Sequence, residues 1–279
     1  MFTVKPMGKV DFGFATELAN TMNWNMAEED FQFMINLEPE GCFVAFQGGK
    51  RVGIATCICF GKVGWFGNLI VKEKYRKMGA GNLLVKHSVN FLQAKGVLTI
   101  GLYAEPSLHS FYSKLGFKVD EDFSVLKAET LGSSTSELLP KAEKQQVKAI
   151  EEFDRRCFGG NRSKLLESII LEKGNLGYFK GEADDVEGYV AATVYEKMAW
   201  VGPLICKEGK VDVATSLLKA VLPNLAGKTV YMVLPKKEKA LIDMLFSVGF
   251  REDFSVSRMF LGEAVAKNCI YVAESLERG

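Results

Sequence analysis

The residues best suited to chemistry form one turn, Arg76-Lys77-Met78-Gly79-Ala80-Gly81, between two apolar segments. The segment before it, residues 68–71, is typical of a buried strand, and the segment after it repeats apolar residues with the spacing of a helix. Glycines let the backbone approach a ligand closely, and the free N–H groups of a first helical turn point at an anion. Because Arg76 and Lys77 add positive charge beside these groups, the turn predicts a phosphate-binding site.

This turn differs from the two common nucleotide-binding loops. It lacks the Gly-Lys-Ser/Thr ending that a P-loop requires. The residues after Gly81 are Asn-Leu-Leu, which excludes the dinucleotide fingerprint G-x-G-x-x-G at this position. A second motif, Y-x-K-x-G-F at residues 112–117, follows after a predicted helix and a predicted strand. The chemistry is therefore expected to involve both motifs.

The two motifs together resemble the GNAT superfamily of N-acetyltransferases. The first is V-x-x-x-Y-R-x-x-G-x-G over residues 71–81, and the resemblance extends over residues 52–125. It implies that acetyl-CoA is the co-substrate, with its pyrophosphate on the glycine turn and its pantetheine arm paired with the preceding strand. The cofactor-binding residues that it implies are Leu69, Ile70, Val71, Arg76, Lys77, Met78, Gly79, Ala80, Gly81 and Asn82.

Acetyl transfer to an amine needs a polarised carbonyl, a neutral amine and a proton for the departing thiolate. Backbone N–H groups near residues 69–71 can polarise the carbonyl, and Tyr112, which the resemblance places near the thioester sulfur, can donate the proton. Relatives often carry a Glu or His base on the strand before the turn, but residues 65–68 contain neither. Glu105, spaced two helical turns from Tyr112, and His109 are the candidate bases. A chain of waters, or an amine that arrives neutral, is the alternative.

The composition describes an ordinary globular protein and argues against several functions. The 279 residues are 48% hydrophobic and 25% charged with a net charge of +1, which gives no reason to expect a nucleic-acid or membrane partner. No apolar run reaches the roughly 18 residues of a membrane helix. Six cysteines without a C-x-x-C pair, together with two histidines, predict reduced thiols, no metal site and a cytoplasmic location.

The second half of the chain repeats the first. The segment Asp122-Phe123-Ser124-Val125 recurs as Asp253-Phe254-Ser255-Val256, and six further residues recur at one constant offset. Those pairs are Trp65 and Trp200, Gly67 and Gly202, Leu69 and Leu204, Ile70 and Ile205, Lys72 and Lys207, and Glu73 and Glu208. We predict two domains, residues 1–128 and 141–279, joined by a Ser- and Thr-rich linker at residues 129–140.

The predicted fold class is α/β (α+β), with two tandem GNAT-like domains, each a mixed, mostly antiparallel sheet flanked by helices. The second copy is predicted to be degenerate, because it has no glycine at the positions of Gly79 and Gly81 and has Leu245 in the place of Tyr112. Larger side chains there would hold the backbone away from a pyrophosphate. The second domain is expected instead to close one wall of the acceptor pocket of the first.

These features predict an acetyl-CoA-dependent N-acetyltransferase that acts by direct transfer. The expected acceptor is the amine of a small molecule or peptide, with no nucleic-acid or membrane partner. Three alternatives stay open: an acyltransferase that uses a longer acyl donor or acts on another nucleophile, a non-catalytic acyl-CoA sensor, and an interaction scaffold. Neither the identity of the acceptor nor the oligomeric state follows from the residues.

Overall fold

The computed structural model describes residues 1–129, 131–132, 137–182 and 185–279. Residues 130 and 133–136, which belong to the predicted linker, lie outside the described residues, so the predicted domain boundaries stay a prediction. The described residues form twelve strands and eight α-helices in two similar halves.

The elements of the first half, in chain order, are β1 (Phe2–Pro6), α1 (Phe12–Asn20), α2 (Glu28–Leu37), β2 (Cys42–Gln47), β3 (Lys50–Phe60), β4 (Val63–Val71), α3 (Ala80–Ala94), β5 (Thr99–Ala104), α4 (His109–Ser113) and β6 (Lys118–Ala128). Those of the second half are α5 (Lys144–Phe158), α6 (Ser163–Ile170), β7 (Leu176–Gly181), β8 (Val186–Val194), β9 (Met198–Lys207), α7 (Val211–Val221), β10 (Thr229–Pro235), α8 (Lys239–Ser247), β11 (Arg251–Leu261) and β12 (Cys269–Val272).

Helix α3 shows how local sequence sets the elements of the site. Gly79 precedes it with φ at 98°, a left-handed conformation that glycine adopts at little cost. Leu84, Val85 and Leu92 recur on one face with helical spacing, and all three are fully buried. Because that face packs on β3 and β4, the helix holds its N-terminus beside the end of β4.

All twelve strands belong to one continuous sheet. Its strand order is β1-β2-β3-β4-β5-β11-β6-β10-β9-β8-β7, and β12 pairs with β9 beside this path. Among the described residues, the parallel pairs are β4 with β5 and β9 with β10. The sheet is therefore mixed and mostly antiparallel, as predicted.

The two halves exchange strands at the centre of the sheet. β11 of the second half lies between β5 and β6 of the first, and β6 lies between β11 and β10. The two copies of Asp-Phe-Ser-Val pair with each other here, and Ser124 lies opposite Ser255, its counterpart in the repeat. On either side of this pair, the Phe of one copy faces the Val of the other. The pairing follows an approximate two-fold axis, which explains why both strands carry the same residues.

This exchange predicts that the protein unfolds as a single unit. A chain ending at residue 129 would lose both neighbours of β6 and expose Phe123 and Val125, which are fully buried in the complete sheet. We expect one calorimetric transition for the full chain, with equal calorimetric and van't Hoff enthalpies, and no cooperative transition for the fragment 1–129. Two separate transitions in the full chain would contradict this view of the shared sheet.

Candidate active site

A cleft opens in the first half where β4 and β5 diverge. The two strands are parallel neighbours only over a short stretch that ends with Trp65 opposite Gly101. β11 pairs with the other edge of β5 over residues 100–104, and beyond Trp65 no strand of the described residues pairs with this side of β4. Residues 66–71 of β4 therefore present unpaired backbone N–H and C=O groups to the cleft.

A bulge at Asn68 bends β4 at the mouth of the cleft. Its φ is 49°, and the register with β3 shifts between Ile54 and Thr56. The buried side-chain amide of Asn68 donates a hydrogen bond of 3.2 Å to Oγ1 of Thr56, which stabilises this conformation. The bulge directs the predicted cofactor-binding residues 69–71 along the free edge of the strand.

The glycine turn continues this edge onto the start of α3. Residues 80–82 form the first helical positions, so their N–H groups have no partner within the helix. A Cβ atom placed on Gly81 would lie 3.7 Å from Phe111 and 3.8 Å from Val71, both ordinary contact distances. Glycine at this position adds no side chain beside these N–H groups, which suits an anion site.

The turn carries two basic side chains, Arg76 and Lys77. Nε of Arg76 donates a hydrogen bond of 2.9 Å to the carbonyl oxygen of Val71, which ties the turn to the end of β4. Lys77 and Met78 are exposed. Arg76 also lines, together with Lys72 and side chains of α1, a cavity of about 400 Å³. The ten predicted cofactor-binding residues thus follow the chain from the end of β4 through the turn to the start of α3, and their role in binding stays a prediction.

Tyr112 lies in α4, next to the same strand. Its side chain is buried, and its ring packs edge-on against Phe66 of β4 with 6.4 Å between the ring centroids. Burial raises the pKa of the Tyr112 phenol, so the hydroxyl keeps its proton across the ordinary pH range. A protonated hydroxyl in this place is suited to the proton-donor role that the sequence predicts.

Only one of the two candidate bases lies in the same helix as Tyr112: His109 is in α4, whereas Glu105 precedes it. Glu105 is exposed and lies in extended backbone before a 3₁₀ turn at Pro106–Leu108, because proline at the first position favours this tight start. His109 begins α4, and its Nε2 atom is buried without a hydrogen-bond partner among the described residues. Their roles as bases stay a prediction.

The second half has a corresponding cleft, which is filled by the chain itself. β9 and β10 are parallel neighbours as far as Trp200 and then diverge. β12 lies in the gap, where it pairs antiparallel with residues 204–207 of β9. Just after β12, the N–H of Ala273 donates a hydrogen bond of 2.9 Å to the carbonyl oxygen of Val233 in β10. In the repeat, residues 204–207 match residues 69–72, the stretch of β4 that is open.

After β12 the chain crosses to the first half, through residues 273–279, which we call the crossing segment. The indole Nε1 of Trp65 donates a hydrogen bond of 3.3 Å to the carbonyl oxygen of Leu276. Gly279 packs on the Trp65 ring, and Glu277 packs on Gly67, where a Cβ atom would come within 2.6 Å of the Glu277 Cβ. Sequence reasoning missed this segment, which reaches the strand beside the candidate site.

The recurrence of Gly67 as Gly202 was the sequence signal for this contact. A Cβ atom on Gly202 would come within 1.9 Å of the carbonyl oxygen of Ala273, so this glycine also admits the crossing segment. Glycine stands at this position in both copies because each packs against the crossing segment.

A fully buried ion pair anchors the crossing segment. Arg162 donates a hydrogen bond of 2.8 Å to the backbone oxygen of Gly279 and pairs with Asp154 at 2.6 Å, and both charged side chains are inaccessible to water. We expect Asp154→Asn to lower the free energy of unfolding by about 3–5 kcal/mol, because the guanidinium stays buried without its counter-charge. Chemical denaturation measures this change. Asp185→Asn, which removes an exposed partner of Lys207, is the control; equal effects of the two variants would contradict the prediction.

Two family models match the chain, and both are described as acetyltransferase (GNAT) domains, at residues 38–119 and 150–271. The chain is similar to an uncharacterized N-acetyltransferase, YitH, of Bacillus subtilis (strain 168), with 22% identity over 242 residues that cover 85% of this chain and 83% of the relative. It is also similar to the crystal structure of a putative acetyltransferase from Pyrococcus horikoshii, with a TM-score of 0.83, 21% identity and coverage of 100% of this chain and 96% of that one. A tandem GNAT protein from the clavulanic acid biosynthesis pathway matches with a TM-score of 0.64, 13% identity and coverage of 96% and 99%.

These matches define the class of protein: each half contains an acetyltransferase (GNAT) domain, and the fold is similar to that of a solved tandem GNAT protein. The chain belongs to the GNAT superfamily and is a tandem acyltransferase. Enzymes of this family use acyl-CoA, and the open cleft and glycine turn of the first half fit such a substrate. Within the described residues, no cluster of His, Cys, Asp or Glu is arranged to hold a metal ion, and no helix has the length and apolar character to cross a membrane.

Proposed function

We propose that the first half transfers an acetyl group from acetyl-CoA to an amine, by direct attack of the amine on the thioester. The observation that carries the proposal is the contrast between the two clefts. The cleft between β4 and β5 is open and leads to a glycine turn, whereas the cleft between β9 and β10 is filled by β12. A pantetheine arm carries amide groups that hydrogen-bond as a strand does, so the free edge of β4 suits it.

The turn of the first half also suits the phosphates of CoA better than its counterpart in the second. The N–H groups of residues 80–82 are free at the start of α3, Gly81 adds no side chain beside them, and the basic residues Arg76 and Lys77 lie in the turn that leads into the helix. The residues of the second half that match Gly79 and Gly81 are Val213 and Thr215, or Ala214 and Ser216 in the alternative register, and neither register has a glycine. Because a larger side chain there would hold the backbone away from a phosphate, we assign CoA to the first half alone.

The arrangement around β4 supports direct transfer. N–H groups that follow the Asn68 bulge face the cleft and can polarise the thioester carbonyl. The amine adds to the carbonyl carbon, the C–S bond breaks, and Tyr112 gives its proton to the departing sulfur. No covalent acyl-enzyme is needed in this scheme, because the amine itself is the nucleophile.

Turnover of acyl-CoA esters with a panel of amines tests the proposal. We expect acetyl-CoA to release free thiol in the presence of a suitable small-molecule or peptide amine, and calorimetric titration to give one CoA site per chain. Faster release from a longer acyl-CoA would change the assigned donor. Binding without turnover across the panel would favour an acyl-CoA sensor, and the absence of binding would favour a scaffold.

Three parts of this proposal rest on composition alone. The cytoplasmic location, the lack of a metal requirement and the absence of nucleic-acid or membrane partners remain predictions. The small net charge of +1 supports the last of them, because nucleic acids and anionic lipid surfaces recruit strongly basic proteins.

A further inference from the structure

The crossing segment carries Glu277 to β4, whose residues near the cleft include no acidic side chain. Residues 65–68 of β4 contain no Asp, Glu or His. Glu277 lies against this stretch, since a Cβ atom on Gly67 would fall 2.6 Å from the Glu277 Cβ and 2.7 Å from its Cα. The neighbouring Leu276 accepts the hydrogen bond from Trp65. Because residues two apart on a strand share a face, both contacts lie on one face of β4.

Arg278 holds the Glu277 side chain in place. Nη1 of Arg278 lies 2.7 Å from Oε1 of Glu277, and the other nitrogens of the same guanidinium bind Glu274 at 2.7 and 3.0 Å. The guanidinium also lies over the ring of Phe33 in α2, 5.3 Å from its centroid. One cation thus serves two carboxylates, so the group has a net negative charge. The Glu277 side chain keeps 21% of its surface exposed and can still meet a ligand.

Glu277 also lies at the right point along β4. Gly67, against which it packs, is adjacent to Asn68, where the strand bends and its free edge begins. In the proposed reaction the thioester carbonyl lies against the N–H groups that follow this bulge. The Cα and Cβ atoms of Glu277 lie against Gly67, so the side chain that carries the carboxylate begins one residue from the point where the free edge of β4 starts.

We propose that Glu277 is the general base of the first half and removes a proton from the ammonium group of the acceptor. This inference rests on the proposed function, and it adds the residue that the sequence of β4 does not supply. It also gives the second half a role in the chemistry. β12 fills the second cleft and thereby positions the segment that carries Glu277 into the first active site.

Each proton in this scheme has a donor and an acceptor. The acceptor ammonium gives one proton to the Glu277 carboxylate, its nitrogen bonds to the carbonyl carbon, and the C–S electron pair leaves with sulfur. Tyr112 protonates that sulfur and regains a proton from the nitrogen as the amide forms. Glu277 then releases its proton to water, so one proton leaves per turnover.

The groups around Glu277 determine how the rate depends on pH. Burial raises the pKa of the Glu277 carboxyl, and Arg278 opposes this effect. Glu274 and Asp30 of α2 raise the pKa further, and Tyr195, whose pKa burial raises to about 12, is neutral beside them. A base acts only when it is deprotonated, so kcat should fall as the pH drops through this raised pKa.

Glu277→Gln in the full-length chain keeps the shape of the side chain and removes the base. We expect kcat with acetyl-CoA and a cationic amine to fall about 10²-fold or more, and the acidic limb of the pH–rate profile to move from the pKa of Glu277 to the higher pKa of the amine. CoA affinity should not change, and activity should partly recover at high pH, where the amine arrives neutral. Glu277→Asp keeps a carboxylate, so it should show a smaller loss and retain the acidic limb.

Two further variants make the test specific. Glu263→Gln is the matched control, because Glu263 is exposed in the segment that leads into β12, and it should keep the wild-type profile. Gly67→Ala should displace Glu277 and change the acidic limb as Glu277→Gln does. If Glu277→Gln does not fold, Gly67→Ala and Glu277→Asp together test whether Glu277 is the base. The role of Glu277 is overturned if the wild type is active and the variants that displace or remove the carboxylate keep the same acidic limb. No turnover by the wild type with any amine overturns the proposed function and this inference with it.

Discussion

Gly81→Val should lower the affinity for CoA by about 10²-fold or more, roughly 2.8 kcal/mol, while leaving the fold intact. A Cβ atom at this position would make ordinary contacts of 3.7 Å with Phe111 and 3.8 Å with Val71, so the chain itself tolerates it. Valine is also a better helix former than glycine. Its branches would fill the space in front of the free N–H groups of α3, which is where the pyrophosphate must approach.

Gly81 is a sharper test than its neighbour in the same turn. Gly79 has φ at 98°, so valine there would strain the backbone and confuse a folding defect with a binding defect. Thr215→Val, at the corresponding place in the second half, is the matched control and should not alter CoA affinity. Calorimetric titration of CoA into each folded variant gives the comparison. Unchanged affinity in a folded Gly81→Val protein would show that the phosphates bind elsewhere.

Local patterns predicted the parts of the site that lie within one stretch of chain. The turn at residues 76–81 and helix α3 follow from the spacing of glycines and apolar residues, and Tyr112 follows from its own short motif. Such patterns depend only on residues that are close in the sequence, so the spacing of apolar residues and glycines is enough to detect them. The helical spacing of Glu105 misled because Pro106 replaces the first helical turn by a 3₁₀ turn.

The exchange of β6 and β11 could not be predicted, because both strands carry the same four residues. A period of two shows which side chains of a strand are buried, but it does not identify the strand that lies beside it. Ser124 can face its own counterpart only across the two halves. The topology of the whole sheet therefore decides the pairing, and no local signal distinguishes it from two separate sheets.

The crossing segment escaped prediction for a different reason. Trp65 and Leu276 are 211 positions apart, and β12 has only four residues. The charged residues that follow β12 would be expected in water, since unpaired charges are rarely buried. Glu274 and Arg278 are buried because they pair with each other, and that is a property of the folded structure. The sequence of β4 therefore could not have identified Glu277 as the proposed general base.

We expect Tyr112→Phe to lower kcat by about 10²-fold with little change in CoA affinity. The phenylalanine ring can keep the edge-on contacts with Phe66 and Phe117, whose ring centroids lie 6.4 and 5.8 Å from that of Tyr112. Only the hydroxyl is lost, so the sulfur must leave without its proton donor. Because burial raises the pKa of Tyr112, the donor is protonated at acidic and neutral pH alike, and the loss should not depend on pH in this range.

This independence of pH separates Tyr112 from Glu277. Glu277→Gln should move the acidic limb of the profile to the higher pKa of the amine, whereas Tyr112→Phe should lower the plateau and leave that limb in place. Steady-state rates at saturating substrate, with single-turnover measurements to show that chemistry limits the rate, distinguish the two. Tyr231→Phe in the second half, whose ring stacks on Trp200, is the control and should retain the wild-type kcat. Full activity of Tyr112→Phe under these conditions would eliminate the acid role and leave solvent as the source of the thiol proton.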